Sequence, residues 1–330
     1  MQQPWGPLLA FYFVAIGVPS GLTLAALWHR NRWPQHPGRV ERWTIWTALA
    51  VLLVASVVLV VDLGRPAGFF LMLTRFDNLG SPIAIGAKII AVKVFVLAVA
   101  AYLLRRRHGP GDVPLRPGNA AARVLDTAVV WLLGITSLAL AVYPTAVLAR
   151  AWFVPLADTS GAALIFLLTA LLMGAAGLLT IHAIGPRTDG AEASRAEADG
   201  HGAAGDGDGS PGRADDGPPG GAGGGPRDGA EQVRRGVRAA TLALLATYAV
   251  AIAFEGLAVR GNPAAEQALV AAMATTGGAL AFWGLVVGVG LVAPAVGLVA
   301  APARRWVQLG AAAAIVVGAS AGRYLIFTVG

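Results

Sequence analysis

The stretch WTIWTALAVLLVASVVLVVDLGRP, residues 43–66, decides the fold. From Trp43 to Val61 it carries no charge. Crossing a hydrocarbon core of about 30 Å takes about 20 helical residues. Lipid offers the backbone no hydrogen-bond partner, so such a run must satisfy itself as a helix. The ending is equally legible. Pro66 cannot continue a helix, and Gly64 loosens the last turn. Asp62 and Arg65, three residues apart, share a helix face.

The rest of the chain repeats this pattern. Apolar residues make up 56% of the 330 and charged residues only 13%, with a mean hydropathy of +0.65. That is about half the charge of a soluble protein. Working outward, apolar blocks run Leu8 to Trp28, Trp43 to Leu63, Pro82 to Leu104, Leu125 to Leu148, Gly161 to Ile184, Val237 to Val259, Gly277 to Val299 and Arg304 to Phe327. The expected fold is therefore an all-α integral membrane protein with eight transmembrane helices. A short interfacial helix is expected over Pro263 to Thr276. The first block follows no basic leader and reads as a retained helix, not a cleaved signal. Its Gly17-Val18-Pro19-Ser20-Gly21 would let a neighbouring helix approach closely.

Between Gly185 and Gln232 the sequence is Gly, Ala, Asp, Pro and Arg, with almost no large apolar residue. Such a segment cannot bury enough surface to offset its ordering entropy. It reads as a disordered linker (185–232) between an N-terminal membrane part (1–184) and C-terminal helices (233–330). Its glycines do not make a phosphate loop, because no apolar strand leads in and no Gly-Lys-Ser/Thr follows.

The formal net charge of +7 sits mostly in short loops, so it reads as topology, not as a nucleic-acid surface. Among the short loops, those after blocks one, three and seven hold most of the arginines, among them Arg30, Arg32, Arg39, Arg105, Arg106, Arg107 and Arg304. By the positive-inside rule these loops and the linker are cytoplasmic, and both termini face outward with the loop from Asp62 to Arg75.

Chemistry is limited by what is missing. The sequence has no cysteine, which removes disulfides, thiolate nucleophiles and Cys-ligated zinc or iron–sulfur clusters. Of five histidines, only His182 falls inside an apolar block, and a bis-His haem needs two. Ionisable residues near the outer face are the candidates that remain: Asp62, Arg65, Tyr143, Arg150, Glu255 and Arg323. The bland alternative makes them helix-end anchors, with Arg65 and Arg323 snorkelling to the headgroups. Lys88 and Lys93 lie deeper and mark an intramembrane polar path. A charged lysine at the depth of Lys93 costs roughly 3 kcal/mol. No set of buried carboxylates completes a proton conduit.

Longer motifs are more specific. Asp62-Leu63-Gly64-Arg65-Pro66, then Phe69-Phe70-Leu71-Met72-Leu73-Thr74-Arg75, then Ser81-Pro82-Ile83-Ala84-Ile85-Gly86-Ala87, resembles the NrfD/PsrC family of polysulfide reductase-like membrane subunits. Gly17-x-x-Ser20-Gly21, Tyr143-Pro144-Thr145-Ala146-Val147-Leu148 with Arg150 and Trp152, Phe282-Trp283-Gly284 with Pro294, and Gly322-Arg323-Tyr324 follow in the same order. The resemblance implies two four-helix bundles in a bacterial cell membrane. It implies a haem-free subunit exchanging electrons between menaquinol or another quinone and a partner iron–sulfur ferredoxin-like subunit at the outer face. A molybdopterin catalytic subunit completes the implied complex. On this view Tyr143, Arg65 and Arg323 bind quinone, Asp62 and Glu255 accept protons, and Arg75 and Arg150 contact the partner. Two positions depart from the pattern: Lys88 replaces an aromatic residue after Gly86-Ala87, and Pro144 replaces the usual Thr. A secondary transporter, with a polar site at the midplane, and a purely structural anchor remain as rival readings.

Overall fold

The computed structural model describes residues 7–34, 38–62, 74, 82–107, 120–149, 161–185 and 226–328. Eight of its helices are long and apolar enough to cross a membrane. Spans 1 to 8 are Ala10–Arg32, Arg39–Val61, Ala84–Arg105, Arg123–Leu148, Ala162–Ile184, Gly229–Val259, Thr276–Ala300 and Arg305–Phe327. No strand occurs among the described residues. The helix Pro263–Ala274 also forms where expected. Asn262 caps it, its side chain accepting from the amides of Ala264 and Ala265 at 3.2 and 3.3 Å.

Spans 1–4 pack in a ring, 1 on 2, 2 on 3, 3 on 4 and 4 on 1. Spans 5–8 pack the same way, and spans 1, 4 and 8 join the two four-helix bundles through span 5 and each other. Spans 1 and 5 are the centre: 67% of each is buried inside the protein, against 22% of spans 6 and 7. Glycine makes this contact. A Cβ at Gly21 would overlap the carbonyl of Ala170, and one at Gly174 would overlap the carbonyl of Gly21. Only bare backbone lets these two helices meet.

Three spans depart from regular winding, each at a proline or glycine. Span 1 is interrupted at Ile16, between helices Pro7–Ala15 and Gly17–Arg32. Pro19 lacks an N–H and its ring crowds the preceding turn. In span 4, Pro144 sits inside the helix and removes one rung. Span 7 is wound as a π-helix from Leu280 to Val292 and returns to α just before Pro294. Gly290 there meets Gly318 of span 8 backbone to backbone.

Contacts define two sides of the molecule. On one, Arg30 of span 1 bridges Glu41 of span 2 (3.2 Å) and Asp126 of span 4 (2.7 Å). On the other lie Phe13, Gly86, Tyr143, Gly161, Glu255 and Arg323. The segment 186–225, most of the expected linker, lies outside the described residues. The helix that contains span 6 begins at Pro226, ahead of its apolar block. Its polar start suits a helix, with Glu231 paired to Arg235 one turn on.

Candidate functional site

On the Tyr143 side the first bundle closes around aromatic rings. Tyr143, on the last turns of span 4, is buried. Its phenol lies against Gly86 of span 3, where any Cβ would overlap the ring. Gly86 thus makes the space that Tyr143 fills. Facing it from span 1 is Phe13, its ring 6.1 Å from Tyr143. Phe13 stacks on Phe327 of span 8 at 4.6 Å and 11°, and Phe327 meets Phe166 of span 5 edge-on at 5.9 Å.

Beside Phe13, with ring centroids 5.1 Å apart, lies Tyr12. It is 1% exposed, and its hydroxyl has no hydrogen-bond partner among the described residues. A buried hydroxyl left unpaired costs about 1–3 kcal/mol, so the Tyr12 hydroxyl is a place where a polar oxygen would be held.

Arg323 anchors this cluster from behind. It is completely buried, 0% exposed, so it does not snorkel. Its Nε donates to the Thr169 hydroxyl at 2.9 Å, Nη1 to the Phe13 carbonyl at 3.0 Å, and Nη2 to the Phe166 carbonyl at 2.6 Å. The Phe13 carbonyl stands in the last turns before the interruption at Ile16. Gly17 makes room, because a Cβ there would meet the guanidinium. One side chain of span 8 therefore ties together the backbones of spans 1 and 5. It also sets the positions of Phe13, Phe166 and, one turn on, Phe327. The three acceptors are neutral oxygens, so its structural place is that of a clamp.

Other candidates fall elsewhere. Glu255 belongs to the second bundle, where its carboxylate lies against Gly161 of span 5; it lines a cavity there with Tyr248. The outer-side grouping of the sequence is thus divided between two bundles. Asp62 is the last residue of the span 2 helix, and its side chain lies outside the described residues, as do Arg65, Arg75 and Arg150. Lys88 is half-buried on span 3.

Lys93 is fully buried near the middle of span 3. Its ammonium donates to the hydroxyls of Ser137 on span 4 and, at 3.5 Å, Thr23 on span 1. A cavity beside Thr23 reaches the Arg30–Glu41–Asp126 group. The polar path expected from Lys93 therefore has neighbours at mid-depth, and they are hydroxyls.

The structure corrects one premise outright. His29 is not a loop residue: the span 1 helix continues to Arg32, and His29 is buried with its ring 5.5 Å from that of His182. Two histidines, not one, lie within the spans. No group of three or more His, Cys, Asp or Glu occurs among the described residues in a metal-binding arrangement. Sequence reasoning also missed Tyr12 and Tyr248. Each sits in an apolar block, and a search for every hydroxyl in such blocks would have raised both.

A comparison with curated proteins finds no match. The family model described as polysulphide reductase, NrfD, matches residues 1–197, which covers spans 1–5 and, of the Tyr143 cluster, Tyr12, Phe13, Gly86, Tyr143 and Phe166, while Arg323 and Phe327 of span 8 lie beyond it. The chain belongs to the NrfD (polysulphide reductase) family.

Proposed function

We propose that this chain is the quinone-handling membrane subunit of a multi-subunit oxidoreductase, holding a quinone ring between Tyr143 and Tyr12. The observation that carries the reading is the Tyr12 hydroxyl, buried and without a partner among the described residues, beside Phe13, whose ring also faces Tyr143. Phe13 and Tyr143 give a flat ring faces to pack on, and the two hydroxyls give its oxygens hydrogen bonds. Arg323 holds the walls and does not touch the ring.

On this reading the Tyr143 side faces outward, as the arginine bias predicts for both termini. Electrons pass between menaquinol or a related quinone and an iron–sulfur partner docked over that side, through the segment that contains Arg65, Arg75 and Arg150. A molybdopterin subunit would carry the terminal chemistry. Asp62 is the proton acceptor placed by sequence at the same end; Glu255 belongs to a different pocket. This chain's own work is to bind, orient and deprotonate quinol. The rival structural-anchor reading predicts no effect from either phenol. The Lys93–Ser137–Thr23 group favours a second reading, proton movement into the first bundle from the Arg30 side.

The test is quinol oxidation by native membranes carrying Tyr143→Phe or Tyr12→Phe. Losing one hydrogen bond of about 1–1.5 kcal/mol lowers the rate roughly tenfold. Rates equal to wild type in both variants, at equal chain abundance, would sink the proposal.

A further inference from the structure

Spans 5, 6, 7 and 8 and the helix Pro263–Ala274 enclose a cavity of about 120 Å³ that the Tyr143 cluster does not use. Its walls are almost wholly apolar, with Phe282, Met273 and Leu325 among them. Two polar residues reach it, both from span 6: Tyr248 and Glu255. They are seven apart, so they lie on one helix face.

Tyr248 is the telling residue. It is 2% exposed, it lines the cavity, and its hydroxyl makes no hydrogen bond among the described residues. Gly322 of span 8 stands beside it, and a Cβ there would come within 2.8 Å of the hydroxyl. A buried phenol that faces a cavity and lacks a partner calls for an acceptor in that cavity. Water is a poor occupant, since an ordered water needs two to four polar partners and these walls supply few.

Size and depth narrow the choice. A cavity of about 150 Å³ takes a single benzene ring in another protein, so this one suits one six-membered ring. Tyr248 lies roughly 16 Å of helix rise from Val259, the end of span 6. A glycerolipid ester stays at the edge of the roughly 30 Å hydrocarbon core, too shallow to meet it. An apolar ring bearing a carbonyl oxygen, soluble throughout the bilayer, reaches this depth.

We propose that this cavity is a second binding site for a quinone ring, with the Tyr248 hydroxyl donating to a ring carbonyl. The site belongs to the second bundle, separate from Tyr12 and Tyr143. It rests on the reading that the chain handles quinone at all.

Photolabelling separates the two sites. The full chain, in its native membrane, is illuminated with an azidoquinone, and the adducts are mapped by peptide mass spectrometry. The expected result is two labelled regions, one at Tyr12 or Tyr143 and one within residues 248–259 or 322–326. Ala272→Phe, which fills the cavity from its roofing helix, should cut the second label at least tenfold and leave the first. Tyr248→Phe should cut it severalfold at unchanged chain abundance. Label confined to the first region overturns this inference and leaves the proposed function standing. Label confined to the second overturns the Tyr143 site and supports this one. No label in either region overturns both.

Discussion

Replacing Gly86 with alanine places a methyl group where the Tyr143 phenol now lies. The overlap is deep. To restore an ordinary carbon–carbon separation of about 3.5–4.0 Å, the ring must move by more than about 1 Å. Overpacking of this kind costs about 1–3 kcal/mol, and alanine returns roughly 1 kcal/mol of helix propensity over glycine. The net loss of stability is therefore about 0–2 kcal/mol, small enough for the chain to reach the membrane and assemble. Activity should nevertheless fall by up to the roughly tenfold expected for losing the Tyr143 hydrogen bond, because a misplacement of about 1 Å is enough to break it. The assay is steady-state quinol oxidation in native membranes, normalised to chain abundance. Gly86→Ala should add little to Tyr143→Phe, since both act through the same hydroxyl. Wild-type turnover by an abundant Gly86→Ala protein would refute the placement of Tyr143 in the site.

Arg323→Lys should lower thermal stability of the detergent-solubilised protein by about 3 kcal/mol. A lysine ammonium cannot reproduce the guanidinium fork to Thr169, Phe13 and Phe166, and each bond to a charged donor is worth about 1.5–3 kcal/mol; an unchanged melting temperature would contradict the clamp. Lys93→Met should leave stability unchanged or raise it by about 1–3 kcal/mol. It removes a buried ammonium that donates to the hydroxyls of Ser137 and Thr23 and keeps most of the volume. A large loss of folded protein would show that the ammonium is a structural tie. In the same variant, proton uptake from the Arg30 side should slow in membrane vesicles if the Lys93 group conducts protons; unchanged uptake removes that second reading.

The fold was legible for a simple reason: a chain in lipid has few ways to satisfy its backbone, and apolar length reports them. All eight blocks became spans, and the short helix expected over Pro263 to Thr276 formed as Pro263–Ala274. The glycines of span 1 also read correctly, because close helix approach depends on the absence of a side chain at Gly21. What the sequence could not supply was azimuth. Depth follows from counting residues, so Tyr143, Glu255 and Arg323 were rightly placed toward one side. In a soluble helix, the polar face would then show which way each points. Here the lipid face and the packed face are both apolar, so Glu255 gave no sign that it belongs to the other bundle. Tyr12 was passed over for the same reason. His29 was misplaced because Arg30 and Arg32 suggested a loop, whereas Arg30 is drawn into an ion group with Glu41 and Asp126. For Arg323 the sequence left quinone binding and a snorkelling helix end as alternatives, since nothing in one dimension shows that the Phe13 carbonyl, just before the interruption at Ile16, accepts its Nη1.

The central claim is that a quinone ring sits between Tyr12 and Tyr143. An experimental structure of the assembled complex with a menaquinone analogue tests it most directly. The account predicts ring density packed against Phe13, with one ring oxygen within hydrogen-bond distance, about 2.5–3.0 Å, of the Tyr143 hydroxyl and Tyr12 able to reach the same molecule. Saturating analogue that leaves the space between Tyr12, Phe13 and Tyr143 closed, or occupied by side chains alone, would contradict it.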